Sequence, residues 1–138
     1  MSKEFRTISR LAKEAGVHVE TIRYYERRGI LRQPPKPRRG WRTYDDEALQ
    51  VLRFVKRAQR LGFRLDEIEE LLSLRESQAP GSCGKVQGFM QTKLEETEEK
   101  LAELNSVRDR LAELRGLCEA EAAGADCRAL RQLADTSA

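Results

Sequence analysis

Apolar residues recur every three to four positions along most of this chain, which predicts a mainly helical protein. The first apolar block covers residues 7–15 and the second covers about 18–28, with Gly16 and Val17 between them. Two short helices joined by a glycine turn are typical of a helix-turn-helix, whose second helix enters the DNA major groove. For this pattern alone, an ordinary helical hairpin is the alternative.

Two further helices are predicted before the middle of the chain. The third covers 45–61, begins with acidic residues that favour a helix N-terminus, and stops at Gly62. Its expected apolar face consists of Leu49, Leu52, Phe54, Val55, Ala58 and Leu61. Phe63 is then expected to insert into the core, and a fourth helix covers 65–74.

A much longer helix, 85–115, follows a predicted linker over 77–84. From Leu94 to Leu114 its apolar seam, which includes Thr97, advances in steps of 3, 4, 3, 3, 4 and 3 residues. This near-heptad spacing is typical of a coiled coil. A lone helix would leave the seam in water, so a partner helix is predicted. Heptads do not fix its direction, and packing onto the third and fourth helices of the same chain is the alternative.

Composition indicates a small protein whose two halves differ in charge. The 138 residues are 39% hydrophobic and 36% charged, which suits one modest core plus an extension. No apolar run approaches a membrane span and the N-terminus lacks a secretory core, so we expect the cytoplasm and no membrane partner. Residues 1–64 carry 17 lysines and arginines against 7 acidic residues, whereas 65–138 carry 9 against 16. Polyanion binding is therefore predicted for the front half.

Candidate DNA contacts lie in the second helix and in the loop after it. Arginine bonds phosphates or guanine edges and tyrosine hydroxyls bond phosphates. Arg23 and at least one of Tyr24 and Tyr25 are therefore expected to touch DNA, while one tyrosine can pack in the core. The loop 32–42 combines three prolines with five cations, which is typical of a stiff wing along a phosphate backbone. Its expected apolar anchors are Ile30, Leu31, Trp41 and Tyr44.

Three cysteines flank the long helix: Cys83 before it, and Cys118 and Cys127 after it. A helix rises about 1.5 Å per residue, so its ends are expected on the order of 45–50 Å apart. Pairing two such helices antiparallel would bring Cys83 of one subunit beside Cys118 and Cys127 of the other. The spacing therefore predicts an antiparallel homodimer with two soft-metal sites, each shared between subunits.

The donor atoms favour a soft ion. Structural zinc normally takes four ligands, and the only histidine, His18, lies in the DNA-binding half. Three thiolates suit Hg(II), with Pb(II) as the closest rival. Cd(II) or Zn(II) stays open, because Glu119, Glu121 or Asp126 could add an oxygen ligand. The alternative for each cysteine is a small buried hydrophobe, which is most natural at Cys118.

Several of these segments together resemble the MerR family of bacterial transcription regulators. The stretch 16–29, Gly-Val-His-Val-Glu-Thr-Ile-Arg-Tyr-Tyr-Glu-Arg-Arg-Gly, resembles that family's second helix, and 42–44, Arg-Thr-Tyr, resembles the end of its wing. The segments 53–63 and 65–68 resemble its third and fourth helices. Within the family, the three cysteines are similar in position and spacing to the three-thiolate site of its mercury-responsive members.

The resemblance implies an all-α fold with a small wing. A winged helix-turn-helix DNA-binding domain would occupy 1–76 and a linker 77–84. A long antiparallel coiled-coil dimerisation helix would then occupy 85–117, and a C-terminal metal-binding loop and tail 118–138. The metal ligands would be Cys83, Cys118 and Cys127, and the DNA-binding residues would be His18, Thr21, Arg23, Tyr24, Tyr25, Arg38, Arg39, Arg42, Arg53 and Lys56.

The function implied by the resemblance is metal-responsive transcription control. A homodimer would repress by occupying promoter DNA with an overlong spacer. On binding Hg(II) it would distort that DNA for RNA polymerase and so activate a mercury-resistance operon. The same type of regulator sensing Pb(II), or Cd(II) or Zn(II), is the alternative. An enzyme is not expected, because no Cys-x-x-Cys pair, glycine-rich phosphate loop or His–carboxylate pair supports catalysis. A metal-independent DNA-binding protein and a regulator of an organic effector are further alternatives.

Overall fold

The computed structural model describes residues 4–120 and 127–135 of the chain. Within those ranges lie the helices α1 (Ile8–Ala15), α2 (Val19–Arg28), α3 (Asp46–Arg60), α4 (Leu65–Ser77), α5 (Ser82–Ala120) and α6 (Arg128–Ala134). An antiparallel backbone bridge joins Arg6 to Tyr44. The chain divides into two compact units, Met1–Phe89 and Met90–Ala138. The predicted all-α fold class is confirmed.

A glycine builds the turn between α1 and α2. Gly16 ends α1 with a φ of 68°, in the left-handed region that residues with side chains avoid. Its amide donates to the carbonyl of Lys13, and the amide of Val17 donates to the carbonyl of Ala12 at 3.0 Å. The chain therefore leaves α1 and enters α2 within three residues, as a helix-turn-helix requires.

The core of the first unit is formed by the apolar faces of α1 to α4. Its most completely buried large side chains are Leu11, Ile22, Leu52, Val55 and Ile68. Phe63 is buried as predicted, and Val86 and Phe89 near the beginning of α5 pack against the same cluster. The apolar faces predicted from helical spacing thus pack together in one shared core.

Two apolar residues lie outside the core, contrary to prediction. Leu61, assigned to the apolar face of the third helix, is 65% exposed because it is the C-cap of α3, where the chain departs from the helix. Trp41, predicted to anchor the wing, is 82% exposed. Residues 41–44 alternate between exposed and covered positions, as an extended segment does, so Tyr44 faces inward and Trp41 faces outward.

The boundaries of the long helix also differ from the prediction. α4 continues through Ser77 and α5 begins at Ser82, so the interval between them is 78–81 rather than the predicted linker 77–84. A turn closed by the Ser82 amide on the Ala79 carbonyl, at 3.1 Å, starts the helix early. α5 also ends later than the predicted 85–117. It therefore contains Cys83 near its beginning and Cys118 near its end.

The second unit exposes apolar side chains along α5. They are Met90, Leu94, Leu101, Leu104, Val107 and Leu111, each between 44% and 64% exposed, whereas Leu114 on the same seam is buried. On α6, Leu130 and Leu133 are exposed and Ala129 is buried. A continuous apolar row of this kind is typical of a surface that meets a partner. Among the described helices, none is long and apolar enough to cross a membrane.

We predict that Leu52→Ala lowers the free energy of unfolding by about 2–5 kcal/mol, because it leaves a cavity in place of a fully buried side chain. Denaturant unfolding followed by helical circular dichroism, at one fixed protein concentration, measures the change. Leu61→Ala is the matched control, since it is the same substitution at an exposed leucine at the end of α3 and should cost less than about 0.5 kcal/mol. Equal losses in the two variants would contradict the described core.

Candidate DNA interface and metal-binding cysteines

The exposed side of α2 carries cations around one aromatic ring. Arg23 is exposed, and its Nη1 lies 3.0 Å from Glu20 Oε1 one turn earlier. Tyr24 is exposed too, and the guanidinium groups of Arg27 and Arg28 each lie 5.9 Å from the centre of its ring. Exposed arginine–glutamate pairs contribute little to stability. Arg23 can therefore exchange Glu20 for a DNA phosphate or base edge at small cost.

The neighbouring tyrosine faces the interior. Tyr25 is 6% exposed and belongs to the same core cluster as Ile22. Adjacent positions on a helix differ in direction by about 100°, which places Tyr24 and Tyr25 on different faces. The structure therefore separates the two tyrosines that the sequence assigned together to DNA binding: Tyr24 lies on the exposed surface and Tyr25 packs in the core.

The wing, residues 32–43, is held at both ends. On the near side Leu31 is buried and its amide donates to the carbonyl of Tyr25; on the far side Tyr44 pairs with Arg6. Within the wing, Arg42 Nε donates to the carbonyl oxygen of Pro34 at 3.1 Å. At the tip, Gly40 has a φ of 85°, and the preceding Arg38 and Arg39 are exposed. The wing thus presents two cations at its tip and uses Arg42 to hold its own shape.

A groove of about 910 Å³ separates α2 from the wing. Its lining includes the basic residues Arg23, Arg27, Lys36 and Arg42, together with one acidic residue, Glu26. Both walls therefore carry cations, one set on a helix and the other on a loop. This arrangement can bind a polyanion along its length, as a phosphate backbone requires.

The remaining predicted DNA contacts lie around the turn and on α3. His18 is the N-cap of α2 and is exposed, with no side-chain hydrogen bond to the helix, whereas Thr21 is half-buried. Arg53 is exposed on α3. Lys56 Nζ donates to the carbonyl oxygen of Gly16 at 2.8 Å. Lys56 therefore ties α3 to the helix-turn-helix turn, and its contact with DNA stays a prediction.

A buried arginine supports the base of the wing, and sequence reasoning missed it. The Arg6 side chain is 2% exposed, and its Nη2 lies 2.6 Å from Asp46 Oδ1. Its Nε lies 2.9 Å from Glu14 Oε2 in an ion pair whose geometry is not that of a hydrogen bond. The hydrogen bond from Arg6 lowers the pKa of Asp46 below its usual value. Arg6 thereby joins α1, α3 and the wing base. Nothing local in the sequence marks it, because Asp46 lies 40 residues away.

All three cysteines are described, and none of them forms a disulfide. Cys83 is exposed in the first turn of α5, Cys118 is exposed in the last turn, and Cys127 is half-buried as the N-cap of α6. The thiols can therefore be reached by an ion, which argues against a role as buried filling at Cys83 and Cys118. Glu119 lies 3.7 Å from Arg115, between Oε1 and Nε, on the same turn of α5 as Cys118.

No three histidine, cysteine or carboxylate side chains converge on a metal-sized space within the described part of this single chain. The residues between the last two cysteines, 121–126, lie outside the described ranges, as do the candidate oxygen ligands Glu121 and Asp126. The structure thus gives the positions of Cys83 and Cys118 on α5 and of Cys127 directly before α6. How the three thiols meet belongs to the proposal below.

A winged helix-turn-helix with cations on both the helix and the wing defines a DNA-binding transcription regulator. Residues 6–74 match the family model of the MerR HTH family regulatory proteins, and residues 49–114 match the model described as MerR, DNA binding. The chain belongs to the MerR family.

Relatives of known function or structure are similar over most of their length. The mercuric resistance operon regulatory protein of Shigella flexneri is 43% identical to this chain over 121 residues, which are 88% of this chain and 82% of that protein. The lead(II) complex of the transcription regulator PbrR691 from Ralstonia metallidurans CH34 is 33% identical, with a TM-score of 0.76 over 93% of this chain and 98% of that one. The mercury(II) complex of the dual-function regulator MerR from Bacillus megaterium MB1 is 31% identical, with a TM-score of 0.70 over 90% of this chain and 95% of that one.

These likenesses confirm the predicted family and the predicted class of function. The protein is a metal-responsive transcription regulator and not an enzyme. Solved relatives hold different ions, lead(II) in one case and mercury(II) in the other. Similarity to these metal-related regulators therefore indicates a metal ion as the kind of effector and leaves the choice of ion to the chemistry of the site.

We predict that Arg23→Ala weakens operator binding by roughly tenfold or more, with or without metal, because a base- or phosphate-contacting arginine is lost. Titration of labelled promoter DNA in a mobility-shift assay measures the dissociation constant. Arg10→Ala is the control: Arg10 is similarly exposed and paired with Glu14 on α1, so its loss removes the same charge from the same unit. If the two substitutions weakened operator binding equally, Arg23 would contribute only its positive charge and not a specific DNA contact.

Proposed function

We propose that this protein is a homodimeric mercury sensor that controls a mercury-resistance operon. Without metal it represses the promoter that it occupies. With Hg(II) held by Cys83 of one subunit and Cys118 and Cys127 of the other, it activates the same promoter. The observation that carries this proposal is the position of two exposed thiols near opposite ends of one helix, α5, with the third directly before α6.

The exposed seam of α5 supports the antiparallel dimer. A second copy of the helix would cover the row from Met90 to Leu111, which is more than two-fifths exposed at every large apolar position. In an antiparallel pair, the beginning of each α5 lies beside the end of the other. Cys83 of one subunit then approaches Cys118 and Cys127 of its partner, whereas a parallel pair would keep unlike cysteines apart.

The donor set supports mercury. Thiolates are soft ligands that select soft cations, and three of them suit trigonal coordination of Hg(II). The candidate oxygen donor within the described residues, Glu119, is already paired with Arg115. The similarity to a mercuric resistance operon regulatory protein points in the same direction. When bound, the ion supplies a cross-link between subunits, and the chain's own residues convert that link into a change at the DNA.

The DNA-binding roles follow from the interface. Arg23 and Tyr24 on α2 would enter the major groove, with His18 and Thr21 at the start of the same helix. Arg38 and Arg39 at the wing tip would bind phosphates, and Arg42, Arg53 and Lys56 would add cations beside them. In a homodimer, two such interfaces read a pseudo-palindromic site. A clamp between the subunits favours one relative placement of the two interfaces, and thereby one shape of the promoter presented to RNA polymerase.

A lead(II) sensor is the second candidate. The observation that favours it is the similarity to PbrR691, which was solved with lead(II) and covers 93% of this chain at a TM-score of 0.76. Lead(II) also accepts three thiolates, so the two candidates share the same site and differ in the ion that switches it. Cadmium(II) or zinc(II) would require a further ligand beyond the three sulfurs.

We predict that Hg(II) activates operator-dependent transcription at a lower free concentration than Pb(II), Cd(II) or Zn(II), because the donor set is all sulfur. Reconstituted transcription with RNA polymerase and the reduced dimer measures the activation midpoint for each ion. Cys127→Ser should abolish activation and leave operator affinity nearly unchanged, since Cys127 lies outside the DNA-binding helices. Activation of that variant by Hg(II) would rule out the proposed site, and a lower midpoint for Pb(II) would select the second candidate.

Sharing of the site between subunits predicts a specific complementation. A heterodimer of a Cys83→Ser chain with a chain carrying Cys118→Ser and Cys127→Ser keeps one complete shared site, whereas each of the two homodimers keeps none. Hg(II) binding by equilibrium competition with a small thiol should therefore appear only in the heterodimer.

The control for this experiment is a heterodimer of a Cys118→Ser chain with a Cys127→Ser chain. It retains more cysteines in total but completes neither shared site, so it should not bind Hg(II) tightly. If the ion were held within one chain, neither heterodimer would bind it. Tight binding by the control alone, or by neither, would contradict the proposed antiparallel arrangement.

A further inference from the structure

A hydrogen bond links the residue that follows the wing to the recognition helix α2. The hydroxyl of Tyr44 donates to Glu26 Oε2 at 3.2 Å, across 18 residues of sequence. The Tyr44 side chain is 3% exposed, whereas Glu26 is half-buried. Both residues line the basic groove, so the bond connects its two walls.

The backbone of Tyr44 is fixed without the help of its hydroxyl. Its amide donates to the Arg6 carbonyl at 2.7 Å, and the Arg6 amide donates to the Tyr44 carbonyl at 2.9 Å. The Arg6 side chain is in turn held by Asp46 and Glu14. The wing is thus pinned at its base, and the hydroxyl adds one further connection that can be removed alone.

The hydroxyl stays a donor throughout the physiological pH range. Burial raises the pKa of Tyr44 to about 12, with the neighbouring Glu26 carboxylate and its hydrogen bond acting in the same direction, against the opposing effect of Arg42 and Arg23. A phenol with this pKa stays protonated near neutral pH, so the hydroxyl can donate to Glu26.

Glu26 is out of place by charge alone. It lines the same groove as Arg23, Arg27, Lys36 and Arg42, where a carboxylate repels the phosphates that these cations attract. Glu26 does have another contact in the groove, because it accepts the hydrogen bond from Tyr44.

We propose that Glu26 and Tyr44 are positioning residues for DNA binding: their hydrogen bond fixes the wing against α2, so that the wing cations and the recognition helix engage one stretch of operator together. This inference rests on the DNA-binding role proposed for the wing. The two residues act through Arg38 and Arg39, which are exposed cations at the wing tip.

Two substitutions of one residue separate the bond from the charge. Glu26→Gln and Glu26→Ala both remove the negative charge, but glutamine keeps an oxygen that can accept from Tyr44. Relative to Glu26→Gln, Glu26→Ala should lower operator affinity by roughly three- to tenfold, the effect of one ordinary hydrogen bond. Tyr44→Phe removes the donor, so relative to the parental protein it should lower operator affinity by the same factor. Because Glu26 is half-exposed on a helix, its variants test the idea even if Tyr44→Phe fails to fold.

The salt dependence of operator binding tests whether the loss passes through the wing. Arg38→Ala with Arg39→Ala removes the two cations at the wing tip and should reduce the slope of log affinity against log salt by about one to two. If Tyr44 positions those cations, Tyr44→Phe reduces the slope as well, and adding it to the double alanine variant changes little further. A residue that only stabilised the fold would give additive losses and an unchanged slope.

The sole tryptophan provides an independent readout in free protein. Trp41 lies on the wing and is 82% exposed, so its fluorescence anisotropy reports nanosecond motion of the wing. Tyr44→Phe and Glu26→Ala should lower this anisotropy, whereas Glu26→Gln should keep the parental value. A structural role without positioning would lower the unfolding midpoint and leave the anisotropy unchanged.

Opposite results overturn the inference in distinguishable ways. If Glu26→Ala binds operator as Glu26→Gln does, or if its loss is additive with that of the wing variant, the hydrogen bond does not position the wing. If the double alanine variant itself keeps the parental affinity and salt slope, the wing's proposed role in DNA binding fails, and the inference fails with it. The inference is supported if Tyr44→Phe and Glu26→Ala lower the anisotropy, the operator affinity and the salt slope together, while Glu26→Gln keeps the parental anisotropy.

Discussion

The exposed apolar seam of α5 is the constraint on which the rest of the protein's organisation depends. Six large apolar side chains on one helix are each more than two-fifths exposed to water. Burying their exposed surface would contribute on the order of several kcal/mol per chain, before the entropy lost on association is subtracted. Val86 and Phe89, which precede the seam on α5, pack against the core of the first unit. In the proposed homodimer, a second copy of α5 would cover the seam. Each DNA-binding unit would then be duplicated, and cysteines near opposite ends of the helix would acquire partners.

Periodicity predicted the elements well because it is a local property of the sequence. The stripes on the first four helices converge on Leu11, Ile22, Leu52 and Ile68 without any knowledge of the fold. It failed where the local period changes. Trp41 was assigned as an anchor because it is apolar, but in an extended segment alternate residues face opposite sides, and Tyr44 already occupies the inner side. Leu61 was assigned by helical spacing, but the helix has ended at that residue. The start of α5 was predicted at residue 85, after a linker over 77–84, whereas a turn at Ala79 begins the helix earlier.

The candidate site was predictable to the extent that residue type alone carries its chemistry. Cysteine spacing predicted the thiols as metal ligands, and clustered cations predicted α2 and the wing as the DNA contacts; both assignments stay predictions. The interactions that shape the interface were not predictable, because their partners are distant in sequence: Arg6 bonds Asp46 across 40 residues, and Tyr44 bonds Glu26 across 18. One chain without its relatives contains no signal for such pairs. Lys56 shows the same limit, since its charge predicts a phosphate contact while its ammonium group holds the carbonyl of Gly16.

Selectivity among ions is then a question of how many donors the site can assemble. A dimer that brings together three sulfurs offers a soft, three-coordinate site, and every added oxygen shifts the preference towards harder ions with more ligands. Glu119, on the same turn as Cys118, is oriented towards Arg115 instead. An exposed pair of this kind is weak, so it does not exclude oxygen coordination by Glu119. Hg(II) is satisfied by sulfur alone and does not need an oxygen ligand. The proposed dimer that would cover the seam would therefore also assemble three sulfur ligands, a donor set that suits the softest ion.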